Sequence, residues 1–386
     1  MKRVYIVTQN DLIHYPPLQT LLTIFLKQRI IITFVGEFSD ITAKKEYEKQ
    51  GVVFKKIILD EYGTLFNKIY KRKLYTEKIK KFFISEKLGN DDLIWYIYSG
   101  ATVCCISNVI RKYNYVVHFY EFFNSIHSWK HRILYPNYSL SDFLKSANGV
   151  VHCEYNRAQI CRGLYGLDAM PYIIPNKPFF DECKLENLPE DILAIVSNFK
   201  NKIKGRKPII YQGFFSAKER RLEEFCQSIF LLPKEFVLVI MGRGNVYFDV
   251  LKEKYESDRI IFIPFIRPPY HLLITELASI GILTYHPEHQ NYPGVINPLY
   301  CAPNKIFEYG KYGIPMIGND IPGLHYLFKE YKCGKTISYP ITPEKIASCV
   351  QSIDSDNRDY RLGSLNLYDS VNIEETIIEI LKSIKK

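Results

Sequence analysis

The chain has 386 residues, 47% hydrophobic and 24% charged, with only 20 glycines and 20 prolines. That composition excludes a disordered or fibrous chain and supplies material for two moderate cores rather than one. The formal net charge of +10 sits entirely in residues 1–177, which hold 25 Lys+Arg against 15 Asp+Glu and leave 26 of each sign beyond, so an anionic partner is expected for the first half: lipid, nucleic acid or a phosphorylated acceptor.

In chain order, Val4–Thr8 reads as a buried strand and follows Met1 too closely for a secretory signal. Pro17–Lys27 reads as a helix, Ile30–Val35 as a strand, Lys44–Gln50 as a helix and Val52–Leu59 as a strand. A long basic helix is expected over Leu65–Leu88. Leu93–Ile110 carries no charge and is long enough to span a membrane, but Ser99-Gly100 divides it into a strand and a helix over Ala101–Lys112. Strands Tyr115–Tyr120 and Gly149–His152 follow, the latter leading into a helix from Asn156.

Ile173-Ile174-Pro175-Asn176-Lys177-Pro178 is a stiff connector, after which the alternation restarts. Strands are expected at Pro208–Gln212, Phe236–Met241, Ile260–Ile263, Ile280–Thr284 and Pro315–Ile317. Helices are expected at Arg221–Ile229, Tyr247–Tyr255, Tyr270–Ala278 and Asn304–Tyr312. An amphipathic helix, Asn372–Lys385, closes the chain. The pattern predicts an α/β protein of two Rossmann-like doubly wound domains facing a central cleft, residues 1–177 and 178–365, with residues 366–386 returning to the first.

The nine cysteines form no C-x-x-C pair and accompany no histidine cluster, so reduced, mostly buried thiols in a cytosolic protein are expected. Asp354-Ser355-Asp356 is the one D-x-D spacing of interest and reads as a solvated turn in a polar loop, so no metal is expected.

The most informative segment runs from Pro303 through Asn304, Lys305, Ile306 and Glu308 to Gly313-Ile314-Pro315. Pro303 suits a helix start, whose unpaired amides and dipole favour a phosphate. Glu308, about one turn on, is placed to accept hydrogen bonds from a ribose diol. This segment resembles the donor signature of the GT-B glycosyltransferases of family 4, P-x-K-x-x-E-Y before a G-x-P strand.

The resemblance extends through Ile209–Gly213, Arg220-Arg221-Leu222-Glu223, Met241-Gly242-Arg243-Gly244, Asp320–Gly323 and Asn176. It implies a donor site made of Gly213, Lys218, Arg220, Gly242, Asn304, Lys305, Ile306 and Glu308, with Arg220 on the diphosphate. Where many family members carry a second acid on the donor hexose, this chain has Tyr300. In the first half, His118 and Glu121 end a buried strand and are the candidates for acceptor positioning or base work, with His14 a weaker third.

The expected function is therefore transfer of a sugar from a UDP- or GDP-linked donor to a hydroxyl, on a lipid-linked saccharide of bacterial capsule, exopolysaccharide or lipopolysaccharide synthesis. By resemblance the reaction is retaining and independent of metal. The basic helix carries Lys68, Lys71, Arg72, Lys73, Lys78, Lys80 and Lys81 beside Leu65, Phe66, Ile69, Tyr70, Ile79, Phe82 and Phe83, a combination expected on an anionic membrane surface. A cytoplasmic protein on the inner face of the plasma membrane follows. Competing readings are a sugar-nucleotide epimerase of the same architecture, a non-catalytic binding subunit, and a nucleic-acid binder, which charge alone does not establish.

Overall fold

The structure is a computed structural model that describes residues 3–12, 15–60, 62–123, 135, 138–178, 188–287 and 291–384. The chain divides into two compact units, Met1–Phe179 with Asn372–Lys386, and Phe180–Val371.

The first unit holds strands β1 (Arg3–Asp11), β2 (Ile31–Glu37), β3 (Val53–Lys55), β4 (Leu93–Ile97), β5 (Tyr115–Phe119), β6 (Gly149–His152) and β7 (Tyr172–Ile173). They pair in parallel in the order β3-β2-β1-β4-β5-β6-β7. Helices α1 (Pro16–Lys27), α2 (Ile41–Lys49), α3 (Leu65–Ser85), α4 (Val103–Ile110), α5 (Leu140–Lys145) and α6 (Tyr155–Tyr165) lie between the strands. The central strands are runs of apolar and β-branched residues because both faces are covered; Val4, Tyr5, Ile94, Trp95, Val116 and Val117 are all fully buried. Burying one such large apolar side chain contributes about 1.5–3 kcal/mol.

Helix α3 corrects one expectation. Ile79, Phe82 and Phe83 face the core together with Tyr75, not solvent. Among the described side chains of this helix, the exposed large apolar residues are Phe66, Ile69, Tyr70, Leu74 and Ile84. Leu93–Ile110 is a strand followed by a short helix, and among the described residues no helix is long and apolar enough to cross a membrane.

The second unit repeats the winding. Strands β8 (Lys207–Gln212), β9 (Phe236–Gly242), β10 (Ile260–Pro264), β11 (Ile280–Leu283), β12 (Met316–Asn319) and β13 (Gly334–Ile337) form a parallel sheet ordered β10-β9-β8-β11-β12-β13. Its helices are α7 (Glu190–Lys202), α8 (Glu223–Ser228), α9 (Val246–Tyr255), α10 (Leu272–Thr275), α11 (Tyr292–Leu299), α12 (Asn304–Lys311), α13 (Pro322–Tyr331), α14 (Pro343–Ser355) and α15 (Asn357–Ser370). The last helix, α16 (Ile373–Ser383), belongs to the first unit.

The second unit runs to Val371 rather than to residue 365 because α15 is anchored in it. Ser364 Oγ donates to the carbonyl oxygens of Ile314 (3.0 Å) and Cys333 (3.2 Å). Asp354 is not in a loop: it lies in the last turn of α14 and pairs with Lys207 at 2.9 Å. The strand order reverses between β8 and β11, and ligands of open parallel sheets bind at the carboxyl ends of strands flanking such a point.

Candidate functional site

The carboxyl end of β8 is the natural starting point. Gln212, its last residue, is buried, and Gly213 turns the chain at φ +126°, a conformation that side chains resist. Gly213 N donates to Met241 O (3.0 Å), and a Cβ on Gly242 would stand 2.2 Å from Gly213 O. Two glycines in register therefore let adjacent strand ends approach closely: Gly242 is buried beneath the Phe215 ring, and exposed Gly213 presents backbone at the rim.

Helix α12 starts beside them. Pro303 is its N-cap, extended at φ −78°, ψ 146°, and has no side chain to cap the first amides, so the helix presents unpaired N–H groups. Tyr309, fully buried, fixes the helix to the sheet by donating from its hydroxyl to Ile210 O at 3.3 Å. That anchoring places Lys305 and Glu308 at the ends of β8 and β11. Ile306 points into the core, and its N–H donates to Pro303 O at 3.3 Å.

Lys305 is half-buried, with its Nζ 4.3 Å from the Tyr211 ring centre and 5.5 Å from that of Tyr285. The Arg220 guanidinium lies 4.1 Å over the same Tyr285 ring. Aromatic faces stabilise cations, but less well than a counter-ion does. Among the described residues Lys305 forms no ion pair. Burial, and then the nearby Arg220 charge, push its pKa down to about 7. Both cations are held on rings, and Arg220 also has the Glu219 carboxylate 3.7 Å away, so an anion would stabilise Lys305 most.

Arg220 sits on a turn closed by its own N–H to Ser216 O (2.9 Å) and donates from Nη1 to Glu219 O (3.0 Å). The turn is tied to the end of β11 by His286 N, which donates to Glu219 O at 2.9 Å. His286 is itself kept neutral, its pKa lowered to about 4 by burial and by Arg221 and Arg220.

Glu308 is 7% exposed. Burial alone would raise its pKa; His271, Gln212 and Lys305 together outweigh it and hold the carboxyl below its ordinary value. Gln212 Nε2 donates to Oε2 at 2.6 Å, and His271 Nε2 lies 3.3 Å from Oε1. The chemistry available here is recognition of a polyanion next to a vicinal diol.

Gly213, Gly242, Arg220, Lys305 and Glu308 are thus brought together, with Asn304 at the helix start. Lys218 stands exposed on the Arg220 turn, and Tyr300 is half-buried where α11 ends. Neither is in a described hydrogen bond or ion pair with those five. Sequence reading missed Tyr211, Gln212, His271, Thr275 and Tyr285. A glutamine closing the apolar run Pro208–Tyr211 was the available signal for Gln212; His271 carried none.

In the first unit, His118 is 1% exposed, and its Nδ1 accepts from Trp95 Nε1 at 3.2 Å. Burial and then His152 lower its pKa to about 3. The imidazole is neutral and has no open face to solvent. Glu121 stands exposed two residues beyond the end of β5; His14 lies outside the described residues. Among the described residues, no group of three or more His, Cys, Asp or Glu is placed to hold a metal ion.

No family model matches the sequence, and no curated protein matches it either. Solved structures do. HepE of Anabaena in complex with UDP is similar over 99% of this chain and 100% of its own, at 14% identity and a TM-score of 0.67. A glycosyltransferase from Rickettsia africae is similar over 100% of this chain and 99% of its own, at 14% identity and a TM-score of 0.67. WaaG, a glycosyltransferase involved in lipopolysaccharide biosynthesis, is similar over 99% of both chains at 12% identity and a TM-score of 0.62.

The chain has the GT-B fold. Both Rossmann-like units of that fold are accounted for by the two parallel sheets, and the Lys305–Arg220–Glu308 cluster occupies the switch point of the second. HepE has also been solved with UDP-glucose, at 13% identity and a TM-score of 0.66.

Proposed function

We propose that this protein is a glycosyltransferase that moves a sugar from a UDP- or GDP-linked donor to a hydroxyl of a lipid-linked saccharide in bacterial surface polysaccharide synthesis. The observation that carries the reading is the pair of ring-held cations, Lys305 and Arg220, beside an ionised, buried Glu308 at the sheet switch point. The diphosphate lies on the α12 amides, Lys305 and Arg220, and the ribose on Glu308. Exposed Gly213 leaves backbone for the phosphates to approach, and Gly242 lets the Gly213 turn pack against β9.

In the reaction the bond between the anomeric carbon and the diphosphate oxygen breaks, and the nucleoside diphosphate leaves with the electron pair. The acceptor oxygen bonds the same face of that carbon, and its proton passes to the departing phosphate, which makes the transfer retaining. Lys305 and Arg220 stabilise the charge that grows on the leaving oxygen, in place of a divalent metal. Lys218 and Asn304 complete the phosphate contacts, and Tyr300 borders the donor sugar. Glu121 orients the acceptor; His118, neutral and enclosed, supports the strand end that carries it.

Lys73, Lys78, Lys80 and Lys81 of α3 are exposed, as are Phe66 and Tyr70, which supports a peripheral site on anionic lipid at the inner face of the plasma membrane. Lys71 is engaged with Asp60 at 2.6 Å and contributes less.

The test is a panel of labelled UDP- and GDP-sugars with polyprenyl-diphosphate-linked saccharides. Release of nucleoside diphosphate together with label entering the lipid phase, both requiring acceptor, is the expected result. Interconversion of the free sugar nucleotide without acceptor would establish an epimerase instead.

A further inference from the structure

Glu308 is gripped before any ligand arrives. Gln212 Nε2 reaches its Oε2 at 2.6 Å, and His271 Nε2 faces its Oε1 at 3.3 Å. Gln212 is in turn fixed by Thr275, whose Oγ1 donates to the amide oxygen at 2.6 Å. An amide side chain has an acceptor on one side and donors on the other. Satisfying the oxygen with a hydroxyl therefore turns the NH₂ group towards the carboxylate. An ionised carboxylate only accepts, so the His271 nitrogen facing it carries the hydrogen. All four side chains are buried.

The consequence lies in what a buried carboxyl does without such donors. It takes up a proton, and a protonated acid no longer accepts from both hydroxyls of a diol. We infer that Gln212, His271 and Thr275 are positioning residues that set preference for ribose over 2′-deoxyribose, by holding Glu308 ionised and in one orientation. This rests on the ribose role of Glu308 proposed above. The charged and titratable groups facing Glu308 are His271 at the start of α10, Lys305 on its own helix, and the phenols of Tyr285 and Tyr309. Gln212 is neutral and helps keep Glu308 ionised through its hydrogen bond to the carboxylate, and Thr275, also neutral, acts by orienting that amide.

The full-length protein is titrated with UDP and 2′-deoxy-UDP, and with GDP and 2′-deoxy-GDP, from about pH 5.5 to about pH 8, across the range where a displaced carboxyl titrates. The variants are Thr275→Val, Thr275→Ser, His271→Phe and Glu308→Ala. The ratio of ribo- to deoxyribonucleotide affinity cancels whatever the phosphates and Lys305 contribute. The parent should prefer the ribonucleotide by about tenfold or more, the worth of one hydrogen bond to a charged group, with little dependence on pH. Thr275→Val and His271→Phe should lose most of that preference, and lose it most at the acid end. Thr275→Ser, which keeps the hydroxyl, should retain it.

A ratio in Thr275→Val and His271→Phe equal to the parent's at every pH would overturn the inference. A Glu308→Ala protein that keeps the parent's preference, or a parent that has none, would instead remove the ribose role itself, and the positioning role with it.

Discussion

The carboxyl ends of the two sheets are built alike and furnished differently. In the second unit the buried polar groups bind one another: Thr275 to Gln212, Gln212 and His271 to Glu308. In the first unit, His118 and His152 are buried neutral imidazoles, both with pKa values lowered to about 3 by desolvation. A connected buried network is worth keeping only if it holds something in place, since each unsatisfied member costs free energy. The second strand end is thus a connected network of buried polar side chains around one ionised carboxylate. The net positive charge of the chain lies in the other half, so Lys305 is distinguished by its surroundings and not by total charge: it stands on two rings with no ion pair among the described residues, whereas Arg220 lies 3.7 Å from Glu219 Oε2.

That contrast can be broken most severely at Arg220 and Lys305. Arg220→Ala, and separately Lys305→Met, should each weaken nucleoside diphosphate binding by roughly a hundredfold, as expected when a charge-assisted hydrogen bond is removed from a partly desolvated site. Calorimetric titration measures this. Lys305→Met should also raise the melting temperature of the unliganded protein at neutral pH. The sign follows from linkage: a lysine whose folded pKa is lowered to about 7 destabilises the fold fully below that pH, and the cost fades as pH rises towards 10.5.

The same shift gives the next effect. A bound diphosphate favours the charged lysine, so binding takes up a proton above pH 7. Affinity for UDP or GDP should fall by up to about tenfold per pH unit from about pH 7 to about pH 9, and Lys305→Met should flatten the profile. Measurements in two buffers of different ionisation enthalpy count the proton directly.

A smaller effect separates the membrane role. Reversing the charge of Lys73, Lys78, Lys80 and Lys81 should weaken sedimentation with anionic vesicles by roughly fivefold per residue, without altering nucleotide affinity. Equal partitioning of parent and variant would confine those lysines to solvation. The smallest effect is expected at His118→Phe, which should leave nucleotide affinity within about twofold, because the hydrogen bond it removes, to Trp95, lies within the first unit.

Much of the architecture could be read from the sequence. Apolar runs such as Val4–Val7, Leu93–Ile97 and Phe236–Met241 lie where strands were expected, because a strand buried on both faces admits little else. Helix α11 was not legible, since Pro293, Gly294 and Pro298 argue against a helix from local propensity, yet Asn291 caps it by accepting from Gly294 N at 2.9 Å. Helix α15 was hidden by a polar composition; its placement depends on Ser364 reaching two carbonyls from distant strand ends.

In the site, Lys305, Glu308 and Arg220 were legible because they belong to a contiguous pattern or its known flanks. Gln212, His271 and Thr275 were not, because Gln212 and His271 meet Glu308 from 96 and 37 residues away and Thr275 meets Gln212 from 63, and only folding creates that adjacency. The faces of α3 were misassigned at Ile79, Phe82 and Phe83, where a mixed basic and aromatic sequence gives a weak helical periodicity.

The central claim is that Lys305, Arg220 and Glu308 grip a nucleoside diphosphate. The most direct measurement is the melting temperature of the parent, Arg220→Ala and Glu308→Ala proteins with and without saturating UDP and GDP. The account predicts a rise for the parent with at least one of the two nucleotides and little or none for either variant. Equal rises in all three proteins, or no rise in the parent with either nucleotide, would contradict it.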